Sequence, residues 1–392
     1  MIKLIKSTFY KEKTTKERLI KFIKNADKLS FGKECEKFES NFSKYQQRKH
    51  TILLNSGSSA NLAIIQTLLN LGLMKKNDMV GFSSITWSTN VMSLIELGLI
   101  PVPIDVELDT LNISSDQLIK ILNKYPLKVL FVTNLLGFCT DLDKIAAICK
   151  QKKILLIEDN CESLGSVYKG KKLGNFGIAS TFSFYVGHHL STIEGGAICT
   201  DNEKIATMTR IVRAHGWDRN LSMDRKSKIR SKYKINSSFY SRYTFYDLGF
   251  NFRPTEICGF LGNQQLQYID LITKIRQKNF LKIASKLYSL TDKYYPIRYN
   301  HLDFISNFAF PLICRSKQIK DELVRKCDGK IEIRPIVAGD ITEQPFYKKY
   351  QIGNLKALTE PNAKLINEQG LYFGNNPELS EKEIGLIIKI FS

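Results

Sequence analysis

The sequence predicts an α/β protein: a mostly parallel sheet with helices on both faces, followed by a smaller α/β unit at the C-terminus. Short apolar runs at 80–82, 100–106, 128–133 and 153–157 alternate with helical stretches at 115–124 and 143–150. That alternation builds strand–helix–strand units. At 392 residues, 43% hydrophobic and 24% charged, the chain has a globular composition and can bury a large core. The expected division is a large unit over 1–250, N-terminal helices included, and a smaller one over 251–392.

The first element expected is an amphipathic helix. Thr14 and Glu17 have capping-box spacing, and Leu19, Phe22, Ile23 and Ala26 follow at helical intervals. Residues 31–45 read as a loop and a second helix, and 51–54 as a short extended run. Next come Asn55-Ser56-Gly57-Ser58-Ser59-Ala60-Asn61 and an apolar helix over 62–71, which Gly72 is placed to end. Small residues opening a helix serve either as an ordinary cap or as an anion site, where free N–H groups, hydroxyls and the helix dipole face the ligand.

Trp87 follows the run at 80–82. An indole there is either core or a flat surface suited to an electron-poor ring. The run 154–162 ends in the carboxylates Glu158, Asp159 and Glu162, which are either solvated strand-end acids or site residues. Two apolar segments, 181–185 and 197–200, are joined by a loop that carries His188 and His189 and ends in Glu194-Gly195-Gly196. A basic stretch over 225–242 shows little periodicity and reads as a long loop, either a solvated flap or a lid that brings cations to a substrate. Residues 258–294 read as one long amphipathic helical run leading into the smaller unit.

The formal charge of +20 fits either lysines spread over solvated faces or a field that attracts an anionic substrate. No RNA- or DNA-binding module is visible, so no nucleic-acid partner is expected. No apolar segment is long enough to suggest a membrane span, and the N-terminus lacks the apolar stretch of a signal peptide, so a cytoplasmic location is expected. The eight cysteines are scattered without a Cys-x-x-Cys pair and read as reduced thiols.

The loop supplies a more specific reading. Ser183-Phe184, three residues, position 188 and then Glu-Gly-Gly six residues on resembles the cofactor loop of the DegT/DnrJ/EryC1/StrS sugar aminotransferases. The resemblance implies the fold type I architecture of aspartate aminotransferase and the cofactor pyridoxal 5′-phosphate (PLP). It also implies roles for residues elsewhere in the chain. Gly57, Ser58, Ser59 and Ser183 would bind the cofactor and its phosphate, Trp87 would stack on its ring and Asp159 would pair with the pyridine nitrogen. Glu162, which stands where many members have Gln, would also bind the cofactor, lying over its ring. Asn251, in Gly249-Phe250-Asn251-Phe252-Arg253, would reach the phosphate from a neighbouring subunit, which implies a homodimer. His215, Arg219 and Arg334 would contact substrate.

Position 188 holds lysine in most of the family, as the covalent anchor of PLP; here it is His188. An imidazole cannot form that stable link, yet it can serve as a base, with an ordinary pKa near ~6.5. This resembles the histidine-bearing branch of the family, the nucleotide-sugar 3-dehydratases. There the cofactor is held noncovalently as PLP or its amine form, pyridoxamine 5′-phosphate (PMP), and L-glutamate regenerates the amine. The implied activity is C3 dehydration of a nucleotide-linked 4-keto-6-deoxy sugar, GDP-4-keto-6-deoxymannose in first place, for 3,6-dideoxysugars of O-antigen or capsule. A second histidine branch holds a [2Fe–2S] cluster on four cysteines; the scattered cysteines do not match it, and no metal is expected. The alternatives are a nucleotide-sugar 4-aminotransferase and a non-catalytic binding protein of the same fold.

Overall fold

The computed structural model describes residues 1–350 and 360–392. The strands in chain order are β1 (His50–Leu54), β2 (Met79–Ser83), β3 (Ile100–Ile104), β4 (Leu127–Thr133) and β5 (Leu155–Asp159). A small hairpin follows, β6 (Val167–Tyr168) and β7 (Lys171–Lys172), then β8 (Ala179–Ser183) and β9 (Gly196–Thr200). Seven of them form one sheet in the order β1-β9-β8-β5-β4-β2-β3, in which β9 alone runs against its neighbours. The remaining pairs are parallel, as the strand–helix alternation predicts.

Both faces of this sheet are covered, so nearly every position of its strands is buried rather than alternating with solvent-facing ones. Along β4, Val129 and Phe131 enter one core while Leu130 and Val132 enter the other. The two-residue repeat of a strand thus serves two cores at once. The helix Gly57–Asn70 covers one face and ends as expected, with Gly72 at φ 66°.

The smaller sheet holds β10 (Tyr294–Tyr295), β11 (Ala309–Cys314), β12 (Ile333–Arg334) and β13 (Gly370–Gly374), in the order β10-β11-β13-β12, all antiparallel. The N-terminus reaches it: Ile2 pairs with Ile331, and Leu4 N donates to Glu332 Oε2 at 2.9 Å. Among the described residues no helix is long and apolar enough to cross a membrane.

Three sequence expectations need correction. The first helix is Glu12–Asn25, so Thr14 lies inside it and caps nothing. Glu12 opens it by accepting from Thr8 N at 3.0 Å, and the face with Ile20 and Ile23 is exposed. Within the basic stretch Met223–Lys232 is a helix, not loop. None of its residues is buried, so it shows no apolar period; Lys228–Asp224 at 2.8 Å and Arg230–Asp218 at 2.7 Å hold it. The run over 258–294 is two helices, Glu256–Leu266 and Ile269–Leu287. They break beside Gln265, whose amide is tied to both backbone groups of Tyr10.

Candidate active site

The parallel strands β4, β5 and β8 end at one edge of the sheet, and their last residues, Thr133, Asp159 and Ser183, line a cleft of about 380 Å³ there. Such an edge is where open α/β sheets bind ligands. The helix Gly57–Asn70 points its N-terminus into the same cleft. Ser56 caps it by accepting from Ser59 N at 3.0 Å, and Gly57 and Ser58 line the opening. A Cβ on Gly57 would lie 2.7 Å from Ser183 Cβ and 3.1 Å from Cys161 Sγ. Only glycine lets the helix start approach the ends of β5 and β8 this closely.

Asp159 is buried, and its carboxylate is held from several sides. Oδ2 accepts from Asn90 Nδ2 at 2.7 Å and Asn61 Nδ2 at 3.0 Å, while Oδ1 accepts from Cys161 N at 2.9 Å. It is therefore no solvated strand-end acid. Trp87, just before the helix Ser88–Glu96, is 51% exposed and lines the cleft, so the core reading of its indole fails.

Glu162 lines the cleft and accepts from Leu136 N at 3.0 Å. Burial pushes its pKa up to about 8; the Leu136 hydrogen bond opposes the rise and the charge of Asp159 adds to it. The unfolded chain releases this proton above its ordinary value near ~4.5, while the folded protein keeps it to about 8. Stability carried by Glu162 is thus full at low pH and is lost as pH rises from about 4.5 to 8. Glu162→Gln is expected to flatten the fall in melting temperature between pH 6.5 and 8, removing a slope of at most ~1.4 kcal/mol per pH unit. Identical pH–melting curves for the two proteins would reject the neutral glutamic acid.

His188 sits on the loop between β8 and β9. Backbone bonds shape that loop: Phe184 N to Gly195 O at 2.8 Å, Thr192 N to Phe184 O at 2.9 Å and Val186 N to Ile193 O at 3.1 Å. His188 N donates to Tyr185 O at 2.9 Å, and the imidazole lies 5.2 Å from the Phe308 ring and edge-on to Tyr185 at 5.8 Å. Its Nδ1 is buried without a hydrogen-bond partner among the described residues. Burial lowers its pKa to about 4; the charge of Asp159 opposes this and that of Arg276 adds to it. The ring is therefore neutral at pH 7, in the form that accepts a proton. His189 is turned to structural use, with Nε2 3.2 Å from Ser306 O.

The structure gathers Gly57, Ser58, Trp87, Asp159, Glu162, Ser183, His188 and Arg334 around this cleft. Arg334 is the only arginine or lysine lining it among the described residues, and it pairs with Glu332 at 2.7 Å. Other expected residues lie elsewhere. Ser59 is outside the lining, its Oγ taken by Ser56 Oγ at 2.9 Å. Asn251 and Arg219 face a second cleft of about 800 Å³, rich in Lys and Arg. There Asn251 Oδ1 accepts from Arg253 Nε at 3.0 Å, and the Arg219 guanidinium lies 3.8 Å from the Trp217 ring. His215, at φ 57°, meets Arg253 at 3.3 Å, also away from the first cleft.

Sequence reasoning missed Asn61 and Asn90 as the partners of Asp159. The available signal was an asparagine inside an apolar helix, since a buried amide needs a partner. Phe308 and Leu4 also line the cleft and carried no signal. Among the described residues no cluster of three or more His, Cys, Asp or Glu is placed to hold a metal ion.

Comparison with known proteins gives a consistent picture. A model of the DegT/DnrJ/EryC1/StrS aminotransferase family matches residues 10–392. GDP-4-keto-6-deoxy-D-mannose 3-dehydratase of Escherichia coli O55:H7 is 32% identical over 92% of this chain and 92% of its own length. A crystal structure of GDP-4-keto-6-deoxymannose-3-dehydratase with a trapped PLP-glutamate geminal diamine superposes with a TM-score of 0.90, at 28% identity over all of both chains. A mutant of that enzyme with bound GDP-perosamine superposes at 0.88, with 27% identity and the same coverage.

Proposed function

The chain belongs to the DegT/DnrJ/EryC1/StrS aminotransferase family, and from that membership we propose that it is a PLP-dependent 3-dehydratase acting on GDP-4-keto-6-deoxymannose, with L-glutamate as amino donor. The observation that carries this reading is His188 in the cleft, within a loop whose framework otherwise keeps the family pattern. Among the described residues no lysine lines the cleft. A 4-aminotransferase that turns over repeatedly relies on such a lysine, so the dehydratase is favoured.

The residues present fit the cofactor. Asp159 offers a fixed carboxylate to a protonated ring nitrogen, Trp87 a free indole face, and Gly57 and Ser58 a helix N-terminus for a phosphate. The buried oxygen Asn61 Oδ1 and the nitrogen His188 Nδ1, both on residues lining the cleft, lack hydrogen-bond partners among the described residues, which suits a site completed by a polar ligand. When bound, PLP and its amine form supply an electron sink that weakens a neighbouring C–H bond and lets the C3 hydroxyl of a 4-keto sugar depart.

The protein's part is to position and to move protons. Asp159 keeps the ring nitrogen protonated, and Asn61 and Asn90 fix that carboxylate. His188 takes the proton from C4′ of the cofactor in the sugar half-reaction and from the α-carbon of glutamate in the other. Glu162, neutral at pH 7, lies in the same cleft as a hydrogen-bond donor. Arg334 serves the substrate side. His215, Arg219 and Asn251 serve the site of a partner subunit in a homodimer, which accounts for their distance from the cleft of their own chain. Residues 1–250 supply the cofactor pocket and 251–392 the smaller unit that closes it. The setting is cytoplasmic synthesis of a 3,6-dideoxysugar for O-antigen or capsule.

The test is GDP-4-keto-6-deoxymannose plus glutamate, with the product analysed by mass. The expected product is lighter than the substrate by one oxygen atom and forms without added iron or a reductase. An amino sugar as the product would establish the aminotransferase instead, and activity that tracked iron content would establish an iron–sulfur enzyme.

A further inference from the structure

Beneath the His188 loop lies a charge that the chemistry above does not use. Arg276, on the helix Ile269–Leu287, is 5% exposed, and no salt bridge to it is formed among the described residues. Taking a guanidinium out of water without a counter-ion costs several kcal/mol, roughly, unless hydrogen bonds replace the solvent. Here they come from carbonyls in separate segments. Nη2 donates to His188 O at 3.3 Å, and Nη1 to Phe308 O at 3.3 Å and to Asn375 O. Two of these carbonyls belong to residues whose rings touch, since His188 and Phe308 lie 5.2 Å apart. The planar fork of arginine is suited to spanning them; a lysine ammonium is a single point.

We propose that Arg276 is a positioning residue, whose guanidinium ties the carbonyl of His188 to those of Phe308 and Asn375 and so fixes where the imidazole stands in the cleft. This rests on the reading of His188 as the base. The charge acts on the ring as well. Burial pushes the pKa of Arg276 down, to about 9, so it remains cationic at pH 7. That charge lowers the pKa of both His188 and His189. The other charged or titratable groups of the cleft are Asp159, whose field opposes the effect on His188, with Glu162, Glu194, Arg334, Cys161, Tyr185 and Tyr372 on the same lining. Arg276 thus has two separable effects: the fork places the base, and the charge adds to the burial that keeps it unprotonated.

Two substitutions separate them. Arg276→Lys keeps the charge and loses the fork. A misplacement of about 1 Å can cost ~10²-fold in rate, so kcat is expected to fall ~10–100-fold, with the KM for the sugar nucleotide and the cofactor affinity within about twofold of wild type. The His188 ring titration, followed by NMR of the full-length protein and assigned against His188→Asn, should stay in place. Arg276→Met loses both features; its His188 titration should move upward, with burial still holding it below the ordinary histidine value. If Arg276→Met does not fold, the lysine variant decides alone.

The proposal is overturned if Arg276→Lys keeps kcat within twofold. It is equally overturned if its loss of kcat is matched by losses of cofactor affinity and melting temperature, which would be a packing effect. An unmoved His188 titration in a folded Arg276→Met protein removes the electrostatic half. A wild-type enzyme that does not dehydrate the sugar nucleotide would refute the dehydratase reading, while the two titrations would still report on Arg276.

Discussion

His188→Asn is expected to lower the rates of both half-reactions, glutamate-dependent amine formation and sugar dehydration, by ~10²–10⁴-fold, the usual effect of losing a positioned general base. Cofactor affinity should change little. The groups placed to hold the cofactor are Asp159, Trp87 and the Ser56–Ser58 turn, and none of them is bonded to the His188 side chain. Stopped-flow absorbance with glutamate alone reads the first half-reaction. Product mass after a single turnover of enzyme preloaded with PMP reads the second. Near-normal rates in both would move the base elsewhere. A loss confined to dehydration would recast His188 as the acid that assists departure of the C3 hydroxyl.

Asp159→Asn is expected to act differently, weakening the cofactor site and the chemistry together. Asn61, Asn90 and Cys161 all present N–H groups to this side chain. Asparagine brings an NH₂ of its own into that ring of donors, so at least one N–H···O bond is replaced by two donors face to face. The charge that keeps the ring nitrogen protonated is also gone, and with it the electron sink. Removing one preorganised electrostatic group from an active site costs ~10²–10³ in kcat, and both half-reactions should lose at least that. Cofactor affinity should fall ~10-fold or more, about 1.4 kcal/mol. Titration of cofactor into the protein, followed by quenching of tryptophan fluorescence, measures affinity independently of turnover. Wild-type affinity in Asp159→Asn would mean that the carboxylate does not face the ring nitrogen.

The parts of the site that were legible in the sequence are those where the demand is local. Gly57 must be small because the ends of two strands press on it, and Ser56 must cap a helix, so both appear as a run of small residues. Asp159 is visible because an apolar strand ends on it. The ring of donors around Asp159 is not legible in this way. Asn61 and Asn90 lie on separate helices, far from residue 159 along the chain, and meet it only once the sheet has formed. The same holds for Arg276, whose helix reads as ordinary amphipathic sequence while its partners lie at 188, 308 and 375. The helix Met223–Lys232 is missed for the opposite reason: it buries no residue, so no apolar periodicity marks it. Asn251, His215 and Arg219 show a further limit. Their motifs are plain in the sequence, but one chain does not bring them to its own cleft.

The loop between β8 and β9 is shaped by main-chain bonds among Phe184, Val186, Thr192, Ile193 and Gly195, and by a main-chain bond from His188 to Tyr185. None of these uses the side chain at position 188. The path of the loop backbone is therefore set without that side chain, while the reaction depends on it. Such a position is a point of high evolvability. A single codon change alters reactivity without first having to overcome a folding barrier, so lineages on this scaffold can diverge in chemistry while their backbones stay superimposable.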